Sequence, residues 1–112
     1  RLARYDIAGS RAHARALAAA GLLDGYDATS NKRAFRWAAG HGSNVTWVPQ
    51  ARWVEDRTRW TSSGVAAGMD MAAALIAHLS GPEAAATATR EIELDVHRDS
   101  GWDPFAAGNG LA

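Results

Sequence analysis

Residues 44–79 read NVTWVPQARWVEDRTRWTSSGVAAGMDMAAALIAHL, and the periodicity of this stretch changes at Ser62. Before that point Val45 and Trp47 alternate with polar neighbours ahead of Pro49, the period-two pattern of a half-buried strand. Arg52–Glu55 and Thr58–Thr61 flank Asp56-Arg57, which predicts a hairpin closed by a two-residue turn without glycine. After Ser62-Ser63-Gly64, Val65, Met69, Ala72, Leu75 or Ile76, and Leu79 recur at helical spacing. They predict a helix to about Leu79, with that stripe against the core and a stop at Gly81-Pro82. Strands feeding a helix in this way imply an α/β layer protein.

The flanks agree with a mixed architecture. Alanine is concentrated in 12–20, 66–77 and 84–88, and alanine is the best helix former. A first helix is expected from a Ser10 cap to Gly21 or slightly beyond, then a turn at Asp24-Gly25 and a short strand within Tyr26–Thr29. Ser30 is positioned to cap a second helix over Asn31–Ala39, closed by Gly40 and Gly42. Pro82 opens a last helix running past Glu91, and the end around Trp102-Asp103-Pro104-Phe105 reads as irregular.

With 112 residues, 47% of them hydrophobic and 21% charged, the chain has the size and composition of one small folded domain. Twelve basic residues balance twelve acidic ones, so no net field attracts nucleic acid or an anionic membrane. There is no cysteine, which excludes disulfides, zinc–thiolate sites and thiol nucleophiles within the chain. No apolar run approaches a spanning length and no signal-like segment opens the chain, so a cytoplasmic location is expected.

The pieces LAAAGLLDGYDATSNKRAFRW (17–37), residues 44–76 of the stretch above, and HRDSGWDPFA (97–106) resemble the ThiJ/PfpI family of glutamine amidotransferase-like proteins. The resemblance implies the C-terminal half of a flavodoxin-like three-layer sandwich. It also implies chemistry of hydrolase or hydratase type, built on a cysteine at a strand-to-helix elbow. A thiolate there is stabilised by the positive end of the helix dipole. In this chain the nucleophile position falls on Arg11, and the position where many relatives have a histidine falls on Asn31. The family's first strands and acidic residue are missing, so the expectation is a truncated relative without the cysteine-dependent activity, in effect a pseudoenzyme.

Residues 1–23, RLARYDIAGSRAHARALAAAGLL, resemble instead the N-terminal segment of argininosuccinate lyase, a resemblance that implies a substrate contact for Ser10. The lyase's mobile loop with its Lys-x-Asn-Pro motif has no counterpart. The division expected is therefore a lyase-like helical segment at 1–24 and a truncated ThiJ/PfpI-like domain at 17–112. The join of this chimera lies between about Ala14 and Gly25.

Thr61, Ser62, Ser63 and Gly64 could present hydroxyls and backbone N–H groups to an anion, with Asp70 lining the same pocket. The competing readings, favoured for this chain, are a helix cap for the first four and a surface carboxylate or arginine partner for Asp70. His13, His41, His78 and His97 show no metal-binding spacing, and His97 with Asp95 or Asp99 would still need a distant third ligand. Neither a metal nor a cofactor is expected. Lys32, Arg33 and Arg36 beside Trp37 read as a solvated basic face rather than a nucleic-acid contact. Trp47, Trp53 and Trp60 read as cross-strand packing rather than a stacking platform.

The function expected is that of a non-catalytic ThiJ/PfpI-type protein. The alternatives are a family enzyme, isonitrile hydratase- or protease-like, completed by a partner chain, or an argininosuccinate lyase-like fragment. Strands absent from the family's sheet would leave an open edge, from which a homodimer or self-association is expected.

Overall fold

The computed structural model describes residues 6–8 and 11–111, with side-chain surroundings from Arg15 onward. The chain begins with β1 (Asp6–Ala8) and α1 (Arg11–Ala19). Ser10, the expected cap of α1, lies outside the described residues. The other end of α1 is closed by Gly21 at φ 79°, where the Gly21 N–H donates to Ala18 and the Leu22 N–H reaches back to Leu17. Those two bonds satisfy carbonyls that the last helical turn would leave open, and the left-handed residue between them favours glycine.

A short strand, β2 (Asp27–Ala28), leads through a 3-10 turn at Lys32–Ala34 into α2 (Phe35–Ala39). The residue that starts this segment is Asn31, not Ser30. The Asn31 side chain accepts from the N–H groups of Arg33 and Ala34 at 3.0 and 3.3 Å, while Ser30 is fully buried before the turn begins. β3 (Thr46–Trp47) then runs parallel to β2.

The hairpin follows as β4 (Trp53–Asp56) and β5 (Arg59–Ser62), paired antiparallel with Trp53 opposite Ser62 and Asp56 opposite Arg59. The turn is therefore Arg57-Thr58, one residue later than the sequence suggested. Asp56 stays in the ladder because its carboxylate is held from both sides, by the Asp27 N–H at 2.7 Å and the Arg57 Nε at 3.0 Å. Arg57 takes the positive φ of 55° instead.

α3 (Val65–Ser80) and α4 (Pro82–Glu91) pack against each other, separated by Gly81 at φ 93°. The tail, expected to be irregular, ends in the short helix α5 (Phe105–Gly108).

One sheet has the order β1-β5-β4, with β1 parallel to β5, and the other is the pair β2-β3. Side chains join the two. The Thr29 N–H, just past β2, donates to Thr61 Oγ1 on β5 at 2.9 Å, and the Asp27 N–H on β2 donates to the Asp56 carboxylate on β4 at 2.7 Å. The described architecture is mixed α/β with few strands, and none of its helices is long and apolar enough to cross a membrane.

Two apolar clusters fill the interior. Ala18, Leu23, Ala28 and Val45 form one, with Leu17 and Trp47 against it. Trp53, Trp60 and Met71 form the other, with Ala74 and Leu75. Trp53 and Trp60 are diagonal neighbours on one face of the hairpin, as cross-strand packing requires. Trp47 belongs to the other sheet and meets Phe35 edge-on at 6.3 Å.

Of the stripe assigned to the core of α3, Leu75 packs on the Trp53–Trp60–Met71 cluster, and Val65, Met69, Ala72 and Leu79 face outward. Val65 is 85% exposed, Met69 and Leu79 are also exposed, and the buried face carries Ala67, Asp70, Met71 and Ala73. The physical reason is that the helix is apolar almost all round, so periodicity did not distinguish one face from the other.

Candidate functional site

The ends of β2 and β5 lie side by side, and the chain leaves both strands through small polar residues. Thr29-Ser30-Asn31 leads into α2, and Thr61-Ser62-Ser63-Gly64 leads into α3. The carboxyl ends of strands in α/β proteins are where helix N-termini and loops converge on ligands. All of Thr29, Ser30, Thr61, Ser62 and Ser63 are buried. Thr61 spends its hydroxyl oxygen on the Thr29 N–H. The hydroxyls of Ser30 and Ser62 have no hydrogen-bond partner among the described residues.

A cavity of about 190 Å³ opens where the two turns meet, lined by Asn31, Lys32, Arg33, Ser63, Gly64, Phe105 and Asn109. Gly64 caps α3 through its backbone, and no side chain there accepts a hydrogen bond from the first turn. The first N–H groups of a helix are unsatisfied donors at the positive end of its dipole. Ser63 is 6% exposed and lines the cavity.

Lys32 is the residue that sequence reasoning misplaced. It is only 4% exposed, not part of a solvated basic face. Its ammonium donates to Thr29 Oγ1 at 2.5 Å and to the Ser30 carbonyl at 3.2 Å. Asp103 Oδ2 lies 3.3 Å away, close enough for strong Coulombic attraction but off the line of a hydrogen bond. Burial pulls the Lys32 ammonium below its ordinary value of 10.5, and the Asp103 charge opposes that pull. Asp103 also accepts from the Phe105 N–H at 3.2 Å, so the ion pair fixes the start of α5 over the cavity. Arg36, from the same basic group, ties down the following residues through the Asn109 and Gly110 carbonyls at 3.1 and 2.9 Å.

Asp70 does not line this cavity. It is 2% exposed and accepts from Arg52 Nε at 2.6 Å and from the His97 N–H at 3.1 Å. Trp102 lies under both groups, stacked on the His97 ring at 4.3 Å and beneath the Arg52 guanidinium at 5.0 Å. This cluster pins the 97–102 segment to α3 and the hairpin. Of the candidate residues, Ser63 and Gly64 therefore meet at one cavity. Thr61 and Ser62 sit behind it, and Asp70 stands in a separate network. Asn31 lines the cavity with its oxygen committed to the turn, Arg11 belongs to α1, and Ser10 lies outside the described residues.

No group of three residues able to hold a metal occurs among the described residues. His41 Nδ1 lies 2.9 Å from the Trp37 carbonyl, and His78 faces Glu55 at 4.0 Å with its ring near Trp60. An open groove of about 530 Å³ beside β4 has walls such as Val48, Trp53 and Ala74, with Glu55 as its one acidic group.

No family model matches the chain. Argininosuccinate lyase from Thermobifida fusca (strain YX) is 92% identical over 24 residues, and that from Kineococcus radiotolerans is 88% identical over 24 residues. Each match covers 21% of this chain and spans only 5% of the lyase. Its length agrees with that of the N-terminal segment resembling the lyase. Among solved structures, an AraC family transcriptional regulator from Pseudomonas putida superposes with a TM-score of 0.62 at 23% identity. That superposition covers 73% of this chain and 43% of the regulator, and it shows a shared fold.

Proposed function

We propose that the chain is a ThiJ/PfpI-like, flavodoxin-type half-domain that has lost cysteine catalysis and binds a small anion at the start of α3. The observation that carries this reading is the cavity at the start of α3, where Ser63 and Gly64 stand beside helical N–H groups without a side-chain cap and Lys32 and Arg33 line the facing turn. Two cations and one carboxylate leave the cavity positive. A carboxylate or phosphate group is the ligand such donors suit.

The cavity holds no thiol, and its lysine is engaged by two hydrogen-bond acceptors and the Asp103 carboxylate, so binding without turnover is the activity supported. The occurrence of a similar fold in a protein described as a transcriptional regulator fits a binding role better than a catalytic one. The short lyase match lends no separate activity, because it spans 5% of that enzyme.

The reading is tested by incubating the purified chain with an activated ester and with an isonitrile, beside calorimetric titration with phosphate and acetate. Saturable anion binding with no turnover is expected. Turnover that disappears in the Ser63→Ala variant would overturn it.

A further inference from the structure

Asn109, just after α5, is the only asparagine of the chain with glycine behind it; Asn31 precedes Lys32 and Asn44 precedes Val45. An asparagine carboxamide is open to attack by the backbone nitrogen of the next residue, and a side chain on that residue obstructs the approach. Gly110 carries none, is exposed, and takes a φ of 71°. The other two asparagines are shielded. Asn31 Oδ1 accepts from the Arg33 and Ala34 N–H groups, which fixes the carboxamide, and Lys32 beyond it is buried. Asn44 is exposed, but the residue behind it is the buried, β-branched Val45.

Arg36 adds a chemical reason. Its guanidinium donates to the Asn109 carbonyl at 3.1 Å and to the Gly110 carbonyl at 2.9 Å. The first carbonyl belongs to the same peptide group as the Gly110 nitrogen. A cation there stabilises the negative charge that builds on this peptide as the nitrogen loses its proton.

We propose that Asn109 is a deamidation site whose product places a carboxylate in the wall of the cavity at the start of α3. The Gly110 nitrogen gives up its proton and attacks the Asn109 side-chain carbon. A C–N bond closes a succinimide ring, and Nδ2 leaves as ammonia with that proton. Water then opens the ring at either carbonyl, giving aspartate or isoaspartate. In sum, an amide and water become a carboxylate and an ammonium ion.

Two hydrogen bonds restrain the step. Asn109 Nδ2 donates to the Phe105 carbonyl at 2.9 Å, and the Gly110 N–H donates to the Ala107 carbonyl at 3.0 Å. Both lie within the turn formed by α5, a helix of four residues, so opening of that turn alone frees both reacting groups. Asn109 lines the cavity together with Lys32 and Arg33, and a carboxylate there repels a bound anion. The modification site stands without the anion reading; its effect on binding rests on that reading.

The test of the site needs no variant. The purified chain is aged at mildly alkaline pH, its ammonia release is followed, and its peptides are mapped by mass spectrometry. Conversion at Asn109 is expected to be several-fold faster than at Asn31 or Asn44, to rise with pH, and to yield both aspartate and isoaspartate. No conversion at Asn109, or equal conversion at all three, would overturn the site. Asn109→Asp reproduces one product and is expected to bind phosphate about tenfold more weakly than the parent. Asn109→Ser, which removes the amide without adding charge, is expected to bind more tightly than Asn109→Asp. Equal binding by parent and Asn109→Asp would overturn the effect on the cavity. Phosphate bound by none of the three would overturn the anion reading, and the peptide map would still decide the modification site.

Discussion

Lys32 and Asp103 are each almost wholly buried and stand 3.3 Å apart, joining the first turn after β2 to the last helix of the chain. Taking either charge out of water is costly, and the pair offsets that cost only while both members are present. Lys32→Met should therefore destabilise the fold by about 3 kcal/mol, because it leaves the Asp103 carboxylate buried alone. The double variant Lys32→Met/Asp103→Leu should recover most of that loss. Urea unfolding followed by tryptophan emission measures both, and a double variant no better than the single one would contradict the ion-pair account.

The Arg52–Asp70 pair supports the other end of the hairpin. Asp70→Ala removes the acceptor of both Arg52 and the His97 N–H and leaves a buried guanidinium without its carboxylate. A loss of about 3–5 kcal/mol is expected. Hydrogen exchange should also show faster opening of the 97–102 segment than of the α1–β2 region, since the network holds that segment specifically.

Asp56 gives the chain an acid-sensitive contact. The Arg57 side chain and then the Asp27 N–H hold its carboxyl below the ordinary 3.8. A carboxyl lowered in the folded state binds fewer protons there than in the unfolded chain. Its stabilisation is complete above the unfolded value and is lost as pH falls through the folded one. Asp56→Asn should thus be less stable than the parent at pH 7, by a small margin because the pair is exposed. The difference should shrink as the pH is taken below 3.8. Parallel melts at both pH values check the sign.

Gly42 tests packing under α1. It has a φ of 77°, and a Cβ there would lie 2.9 Å from the Ala18 Cβ and 3.0 Å from Val45 Cγ2. Gly42→Ala combines left-handed strain with overpacking and should cost about 1–3 kcal/mol. Gly25→Ala, also at positive φ but in open space, should cost less. Equal losses would show that close approach plays no part at Gly42.

Much of this fold was legible because it is local. The hairpin, the helix beginning after Gly64, and the stops at Gly21 and Gly81 follow from turn chemistry and period. The errors came where a distant partner decides. Ser30 and Asn31 are both good caps, and the choice fell to Asn31 because Ser30 is fully buried, next to Thr29, whose N–H is bound by Thr61. Lys32 looked like one of three surface cations, yet its counter-charge lies near the other end of the chain, where nothing local announces it. The outward seam of α3 went unread for a related reason. A helix apolar on both sides does not say which side meets the sheet. Ser63 was legible as a helix-start residue, but the cavity it lines depends on how the two turns meet.

The most direct measurement is an amide-resolved NMR titration of the chain with inorganic phosphate at constant ionic strength. Binding at the start of α3 predicts saturable shifts confined to Ser63, Gly64, Val65 and the facing Asn31–Arg33 turn, and their loss in Ser63→Ala. Shifts that are absent, unsaturable, or spread over the exposed arginines would contradict it.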